Sequence, residues 1–181
     1  MTKNKKDWTL YLAGGLFNAG QRLHIMYLER ALKELGYDVI VPQREAVKHQ
    51  KEDGTFDVKG IVKECFETAG STGMVTGDLL VGCLDGADAD SGTSVEYGAA
   101  MKSAGVCVVY RTDFRTNLEK EVGVNAMFGV EGTRFIYEPF YLTELDEVEV
   151  YYNTLAKKID LICQSIVRFP LSSLEDEEDR E

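Results

Sequence analysis

Two carboxylates in one short segment are the side chains best suited to covalent chemistry. Glu96 lies six residues beyond Asp90 within DGADADSGTSVEYGAA, which runs from Asp85 to Ala100. An ionised carboxylate in a cleft can act as the nucleophile that attacks a glycosidic carbon. A second carboxyl nearby can hold a proton or contact a base, because crowding pushes the two pKa values apart. Glu96 and Asp90 are therefore the first candidates for catalysis.

Both carboxylates also have a structural interpretation. The sequence TSVE at 93–96 fits a capping box, in which Glu96 would reach back to Thr93 at the start of a helix. Glu96 would then lie in the first helical turn, where the helix dipole favours its ionised form. Asp90 comes directly before Ser91 and Gly92 and fits a turn. Asp85 and Gly86 read as a plain turn, and no chemical role is assigned to Asp85.

A tyrosine and a glycine pair near the start of the chain form a second candidate group. Tyr11 is placed at the end of a first strand, where it is either a core aromatic residue or a hydroxyl that orients Glu96. Gly14 and Gly15 would let the backbone approach a ligand closely. Their spacing matches neither GxGxxG nor a P-loop, so the sequence gives no support to dinucleotide or triphosphate binding.

Apolar strands alternate with helical patterns along the chain. Strands are predicted over 8–13, 38–41, 78–84, 106–111 and 134–138, and helices over 18–35, 57–69, 94–104 and 145–166. Gly36 and Gly105 are predicted to end two helices, Asp57 to cap one, and residues 43–56 to form a loop. Strands that are apolar on both faces and alternate with helices indicate a parallel sheet covered on both sides.

The predicted fold class is therefore α/β, a flavodoxin-like three-layer sandwich. Its five-stranded parallel sheet is expected in the order 2-1-3-4-5. In that order the winding direction reverses between strands one and three, and ligands bind at the carboxyl ends of the strands there. The loop YLAGGLFN after strand one and the acidic loop after strand three would then line one crevice.

Composition narrows the function classes. A net charge of −11 argues against nucleic acid, which requires a basic surface. No apolar run reaches the length of a membrane span, and no signal peptide is evident, so we expect a cytoplasmic protein. One domain is predicted over 1–170, followed by an acidic, disordered tail at 171–181. The four cysteines stand far apart without a CxxC pair, so reduced thiols, no metal site and no cofactor are expected.

Three motifs resemble those of nucleoside 2-deoxyribosyltransferases: LDGADADSGTSVEYGAA is fairly specific, whereas YLAGGLFN and the Asn-Ala-Met sequence at 125–127 are weaker. The resemblance covers roughly residues 10–137. It implies a flavodoxin-like enzyme that cleaves the N-glycosidic bond of 2′-deoxynucleosides. A glutamate would hold the deoxyribosyl group covalently until a second nucleobase accepts it with net retention. Deoxynucleosides and free nucleobases would be the partners, and a homo-oligomer, dimeric or larger, would share its active sites between subunits.

The resemblance also assigns roles to residues. Glu96 matches the nucleophile, Tyr11 the tyrosine that orients it, and Asp90 an aspartate at the base. Asn125 and Met127 match residues that a neighbouring subunit lends to the site, with the asparagine near the sugar 5′-hydroxyl. The substrate contacts expected besides these two come from Gly14, Gly15, Phe17, Gly92 and, through a loose match to a glutamine at the base, Gln43. The acid that the family usually carries before strand three is missing near Gly70; the nearest is Glu67.

Two other functions remain open. A hydrolase of deoxynucleoside 5′-monophosphates on the same fold would use the same glutamate, but it would need small hydroxyl or basic donors for the phosphate. The first loop offers Leu16 and Phe17 instead, which favours unphosphorylated nucleosides as substrates. Arg22 could contact a phosphate, so a nucleotide substrate stays open as an alternative. A non-catalytic nucleotide- or flavin-binding module would explain the fold and the glycines and leave Glu96 as a helix cap.

Overall fold

Strands buried on both faces form the centre of the molecule. The computed structural model describes residues 8–71, 79–104, 106–115 and 123–168. All strand pairs are parallel, in the order β2-β1-β3-β4-β5, which confirms the predicted fold class and strand order. The strands are β1 Thr9–Ala13, β2 Asp38–Ile40, β3 Leu79–Cys83, β4 Cys107–Arg111 and β5 Thr133–Tyr137.

Helices cover both faces of this sheet. α1 and α5 pack on one face, and α3 and α4 pack on the other. Alternate strand residues supply the two cores: Leu10 and Leu12 of β1 face α1 and α5, whereas Tyr11 and Ala13 face α3 and α4. The helices are α1 Ala19–Glu34, α2 Pro42–Glu45, α3 Val58–Ser71, α4 Ser91–Ala104 and α5 Glu147–Arg168.

Three helix ends have clear local causes, two of which, at Asp57 and Gly36, were predicted. Asn18 caps α1 by accepting from the Gln21 amide at 2.9 Å, and the Gln21 side chain accepts in return from the Asn18 amide at 3.3 Å. Asp57 caps α3 through the Gly60 amide. Gly36 ends α1 with a φ of +96°, a conformation that glycine adopts without strain. Gly105 and Asp78, predicted at element ends, lie outside the described residues, as does the acidic tail.

Three predicted boundaries are wrong. Residues 43–56 are not a continuous loop, because α2 and a 3₁₀ helix at Ala46–His49 occupy their first half. Leu145 is not part of the last helix but precedes it with 91% of its surface exposed, since the Glu147 carboxylate starts α5 by accepting from the Thr143 and Glu144 amides. α4 begins at Ser91 rather than at residue 94, for a reason that bears on the site.

A buried arginine joins the loops that follow β3 and β4. Arg111 is 2% exposed and donates to the carbonyls of Leu84 and Gly86, each at 2.9 Å. The Asp85 carboxylate accepts in the same place from the amides of Thr112 and Asp113. These loops therefore form one braced wall at the carboxyl end of the sheet. Among the described helices, none is both long and apolar enough to cross a bilayer.

Candidate active site

Glu96 and Tyr11 meet through a direct hydrogen bond. The Tyr11 hydroxyl donates to Oε1 of Glu96 at 2.7 Å, although 85 residues separate them in sequence. Tyr11 is only 1% exposed, and it lies at the middle of β1 rather than at its end, because β1 continues to Ala13. Burial and the adjacent Glu96 carboxylate raise the pKa of the Tyr11 phenol far above its ordinary value. The phenol therefore stays neutral and acts as a hydrogen-bond donor.

The environment of Glu96 favours its protonated form. Burial raises the pKa of this carboxyl from 4.5 to about 7, the Tyr11 hydrogen bond lowers it, and the charge of Asp90 raises it further. The expected support from a first-turn helix dipole is absent, since Glu96 is the sixth residue of α4. A carboxyl with this pKa exists in both protonation states at neutral pH.

The capping-box interpretation of Glu96 is wrong. Asp90, not Thr93, caps α4: its Oδ2 accepts from the Thr93 amide at 2.9 Å and from the Thr93 hydroxyl at 3.2 Å. Thr93 is the third residue of the helix, so Glu96 lies one turn too far along to close a box. The side chain of Glu96 points instead to β1, where Tyr11 holds it.

A cavity of about 200 Å³ opens beside Asp90. Gly15 lines this cavity, and Gly14 precedes Gly15 in the sequence. A Cβ at Gly14 would lie 2.9 Å from Cδ1 of Ile25 and 3.3 Å from Cβ of Cys83, so a side chain there would crowd the packing between α1 and β3. A Cβ at Gly15 would lie 2.5 Å from Nε2 of the Gln21 side chain. The lining residues are Gly15, Gly20, Gln21, His24, Ile25, Cys83, Asp85 and Asp90.

The other predicted contacts flank this region. Phe17 has 81% of its surface exposed, and its amide donates to the Gln21 side chain at 2.9 Å, which fixes the first loop. Gly92 is exposed in the first turn of α4, next to Asp90. Gln43 donates to the Arg22 carbonyl at 3.5 Å, while its Oε1 is buried without a hydrogen-bond partner. It lines a separate groove with Leu23 and Met26.

Asn125 and Met127 lie on the other side of α4. The Asn125 side chain accepts from the Met127 amide at 3.0 Å and caps a 3₁₀ helix at Ala126–Gly129. Met127 is 71% exposed, and both residues line a groove with Ser94 and Tyr97. Within one chain they do not join the cavity that Asp90 lines.

Four side chains at the site had no assigned role in the sequence. Cys65 of α3 contacts the Tyr11 hydroxyl, and the cavity brings together His24, Cys83 and Asp85. The sequence carries one usable signal, because Cys83 ends β3 and Asp85 follows it, at the carboxyl end that lines the predicted crevice. His24 carries no local signal, since only helix α1 folding onto the sheet brings it there. All four cysteines are free.

Comparison with known proteins gives this fold and site a family. The model of the nucleoside 2-deoxyribosyltransferase family matches residues 10–132, and the chain belongs to that family. It is therefore an enzyme that acts on nucleosides, with N-glycosidic bond chemistry of the deoxyribosyltransferase type. No curated protein matches the chain significantly.

Solved structures share the fold at low identity. A 2-deoxyribosyltransferase of Bacillus psychrosaccharolyticus matches with a TM-score of 0.55 and 21% identity, covering 82% of this chain and 95% of its own. A conserved protein of Enterococcus faecalis V583 matches with a TM-score of 0.55 and 20% identity, and the match covers 81% of this chain and 98% of that protein's chain. A CMP N-glycosidase of Clostridium botulinum matches with a TM-score of 0.51 and 14% identity, and the match covers 84% of this chain and 98% of the glycosidase chain.

Replacing Glu96 with glutamine should stabilise the fold at high pH. The folded-state pKa of about 7 exceeds the unfolded value of 4.5, so the folded state retains a proton that the unfolded chain loses as pH rises between these values. Stability is therefore lost across that window, by up to about 3 kcal/mol. Urea unfolding should find Glu96→Gln more stable than the wild type at pH 8 and nearly equal to it at pH 4.5.

The exposed Glu34 at the end of α1 provides the matched control. Glu34→Gln removes the same charge from the surface and should change stability by less than about 0.5 kcal/mol at both pH values. A Glu96→Gln protein that is less stable than the wild type at pH 8 would contradict the assignment of a desolvated carboxyl.

Proposed function

We propose that the protein transfers 2-deoxyribosyl groups between nucleobases, through a covalent deoxyribosyl–Glu96 intermediate, in nucleoside salvage. The observation that carries the proposal is the 2.7 Å hydrogen bond from the neutral Tyr11 phenol to the half-buried Glu96 carboxylate. It fixes one carboxylate oxygen and leaves the other to react. Membership of the nucleoside 2-deoxyribosyltransferase family supports the N-glycosidic bond as the bond that is cleaved.

The reaction then runs in two halves. In the first, an oxygen of ionised Glu96 attacks C1′ of the deoxynucleoside as the C1′–N bond breaks, and the base leaves with its electron pair and accepts a proton. In the second, a nitrogen of the incoming base attacks C1′, the bond to Glu96 breaks, and the base loses its proton. Two displacements at one carbon give retention and ping-pong kinetics.

Tyr11 and Asp90 support the nucleophile differently. The Tyr11 hydrogen bond favours ionised Glu96 against the cost of burial, and it stabilises the carboxylate again when the ester bond breaks. Oδ2 of Asp90 holds the α4 cap, so Oδ1 is the atom that would contact the base or carry its proton. The other substrate contacts proposed are Gly14, Gly15, Phe17, Gln43, Gly92, Asn125 and Met127.

Hydrolysis of 2′-deoxynucleoside 5′-monophosphates is the second candidate, since a solved structure named as a CMP N-glycosidase shares the fold. The first loop supports transfer instead. The exposed residue of this loop is the apolar Phe17, which offers no hydrogen bond to a phosphate. The Arg22 guanidinium already donates to the Leu16 carbonyl at 2.8 Å. Arg22 therefore braces the loop backbone, which argues against a role in holding a phosphate.

We further propose a cytoplasmic homo-oligomer with shared sites. Asn125 and Met127 lie exposed beside α4, on the far side from the Asp90 cavity. Because they do not line the Asp90 cavity of their own chain, we propose that they complete the site of a neighbouring subunit. The cap that Asn125 forms over Ala126–Gly129 gives the pair one defined geometry.

Replacing Glu96 with alanine should abolish transfer. We expect a folded protein whose rate falls at least about 10³-fold, the scale of losing a covalent nucleophile. Chromatography of deoxyinosine incubated with adenine gives the readout, with Glu34→Ala as the surface control at near wild-type rate. Wild-type enzyme with saturating acceptor should form a new nucleoside. Free sugar alone would identify a hydrolase, and wild-type turnover by Glu96→Ala would exclude the covalent mechanism.

Replacing Tyr11 with phenylalanine should shift the pH profile. The hydroxyl lowers the pKa of Glu96, so its loss should raise that pKa and move the acid limb of kcat/KM to higher pH. Tyr97→Phe is the matched control, because the Tyr97 hydroxyl bonds the Thr133 hydroxyl at 2.6 Å instead. An acid limb that stays in place in Tyr11→Phe, or moves equally in Tyr97→Phe, would refute this role of Tyr11.

Mixing two inactive variants tests the shared site. When Glu96→Ala and Asn125→Ala subunits exchange into hybrid oligomers, some sites hold both intact residues. The mixture should then recover about a quarter to a half of wild-type activity. Mass spectrometry of the intact assembly verifies subunit exchange. Exchange without recovery would contradict a site that Asn125 completes in trans.

A further inference from the structure

Three side chains of metal-binding type meet beside the Asp90 cavity. His24 comes from α1, Cys83 ends β3, and Asp85 lies two residues further along. One ligand atom from each lies within 4.8 Å of the others, and Nε2 of His24 is 3.9 Å from Sγ of Cys83. A nitrogen, a sulfur and an oxygen donor at this spacing are the ligand types of protein zinc sites.

Neighbouring groups already orient these ligands. Nδ1 of His24 is 2.8 Å from the Tyr152 hydroxyl, which holds the ring with Nε2 directed toward Cys83. Metal-bound histidines usually have their second nitrogen held in this way. Nε2 also contacts the Tyr110 hydroxyl at 2.9 Å, and a metal ion would replace that contact.

Asp85 is fixed from the opposite side. Its Oδ1 accepts from the amides of Thr112 and Asp113 at 2.6 and 2.9 Å, and its Oδ2 accepts from the Thr112 hydroxyl. A carboxylate oxygen offers two lone pairs, so Oδ2 keeps one for a metal ion. The hydrogen bonds that join the β3 and β4 loops thus also position this ligand.

The cavity supplies access and a fourth position. It measures about 200 Å³, contacts all three ligands, and is bounded on its other sides by Gly15, Gln21 and Asp90. A water molecule takes up about 30 Å³, so one or more would fit beside a bound ion. Three protein ligands with an open fourth position is the arrangement of zinc sites that bind a small ligand.

We propose that His24, Cys83 and Asp85 bind one Zn²⁺ ion, with the fourth position open to the cavity that Asp90 lines. As the zinc–sulfur bond forms, the Cys83 thiol loses its proton to solvent. Nε2 of His24 and Oδ2 of Asp85 each donate a lone pair, and no electron is transferred. The proposal does not rest on deoxyribosyl transfer, although the ion would adjoin the cavity that the proposed substrate contacts Gly15 and Asp90 line. It reverses the expectation of no metal site, which rested on sequence spacing, whereas 59 residues separate His24 from Cys83.

Cobalt provides the test on the full-length protein, because Co²⁺ occupies zinc sites and reports a bound thiolate by a charge-transfer band in the near ultraviolet. We expect one equivalent of Co²⁺ to give this band and Zn²⁺ to displace it. Cys83→Ser should remove the band. Zn²⁺ affinity should fall at least about 100-fold in His24→Gln and about 10- to 100-fold in Tyr152→Phe, which loses the hydrogen bond to Nδ1.

Two matched variants identify the site. His49→Gln removes the other histidine of the chain, which pairs with Glu64, and Cys107→Ser removes a buried thiol of β4 outside the cavity. Both should bind Zn²⁺ within about 2-fold of the wild type once circular dichroism verifies folding. No thiolate band in the wild type would overturn the proposal, as would binding that is lost in His49→Gln or that survives both His24→Gln and Cys83→Ser.

A further measurement avoids dependence on the folding of Cys83→Ser. One equivalent of Zn²⁺ should slow alkylation of Cys83 at least 10-fold in the wild type and leave Cys65 unaffected, as followed by peptide mapping. Equal alkylation rates of Cys83 with and without Zn²⁺ would count against coordination by that thiol.

Discussion

The central constraint is that β1 is paired on both edges and buried on both faces. β2 and β3 take its hydrogen-bonding groups, and helices cover its two sides. Because successive side chains of a strand point to opposite faces, Leu10 and Leu12 must face α1 and α5 if Tyr11 faces α4. A one-residue shift of register would bury Tyr11 against the wrong helices and separate it from Glu96. The hydrogen bond at the site therefore depends on the register of the whole sheet.

Burial that stabilises the sheet destabilises the charge on Glu96. The carboxyl has one strong hydrogen bond, from Tyr11, and a second acid, Asp90, nearby. A carboxylate that is poorly solvated is a better nucleophile than one in water, and it costs stability to hold. Asp90 is better supported, because it serves α4 as a cap at the same time. The two carboxyls thus differ in their partners: that of Glu96 accepts from a strand hydroxyl, and that of Asp90 caps a helix.

Much of the fold was accessible from sequence, and the reasons are local. Continuous apolar strands that alternate with helical patterns indicated the parallel sheet and its order, and Asp57 and Gly36 marked two helix ends. The start of α4 was misplaced because Thr93 and Asp90 both fit a cap, and only the structure distinguishes them. Tyr11 and Glu96 could be paired through the strand order and the motifs. His24 could not be placed with Cys83, since their contact depends on helix packing that no local pattern encodes.

The brace around Arg111 makes the two sides of the crevice unequal. Its guanidinium holds the carbonyls of Leu84 and Gly86, and Asp85 holds the start of the β4 loop. One side of the crevice is thereby a fixed wall, whereas the β1 loop presents an exposed Phe17 and is held mainly by Gln21 and Arg22. The two sides of the crevice therefore differ in what holds them: hydrogen bonds between the ends of two strands on one side, and contacts within one loop and the start of α1 on the other. A substitution at Arg111 would loosen both strand ends at once, whereas one at Gln21 would affect the first loop alone.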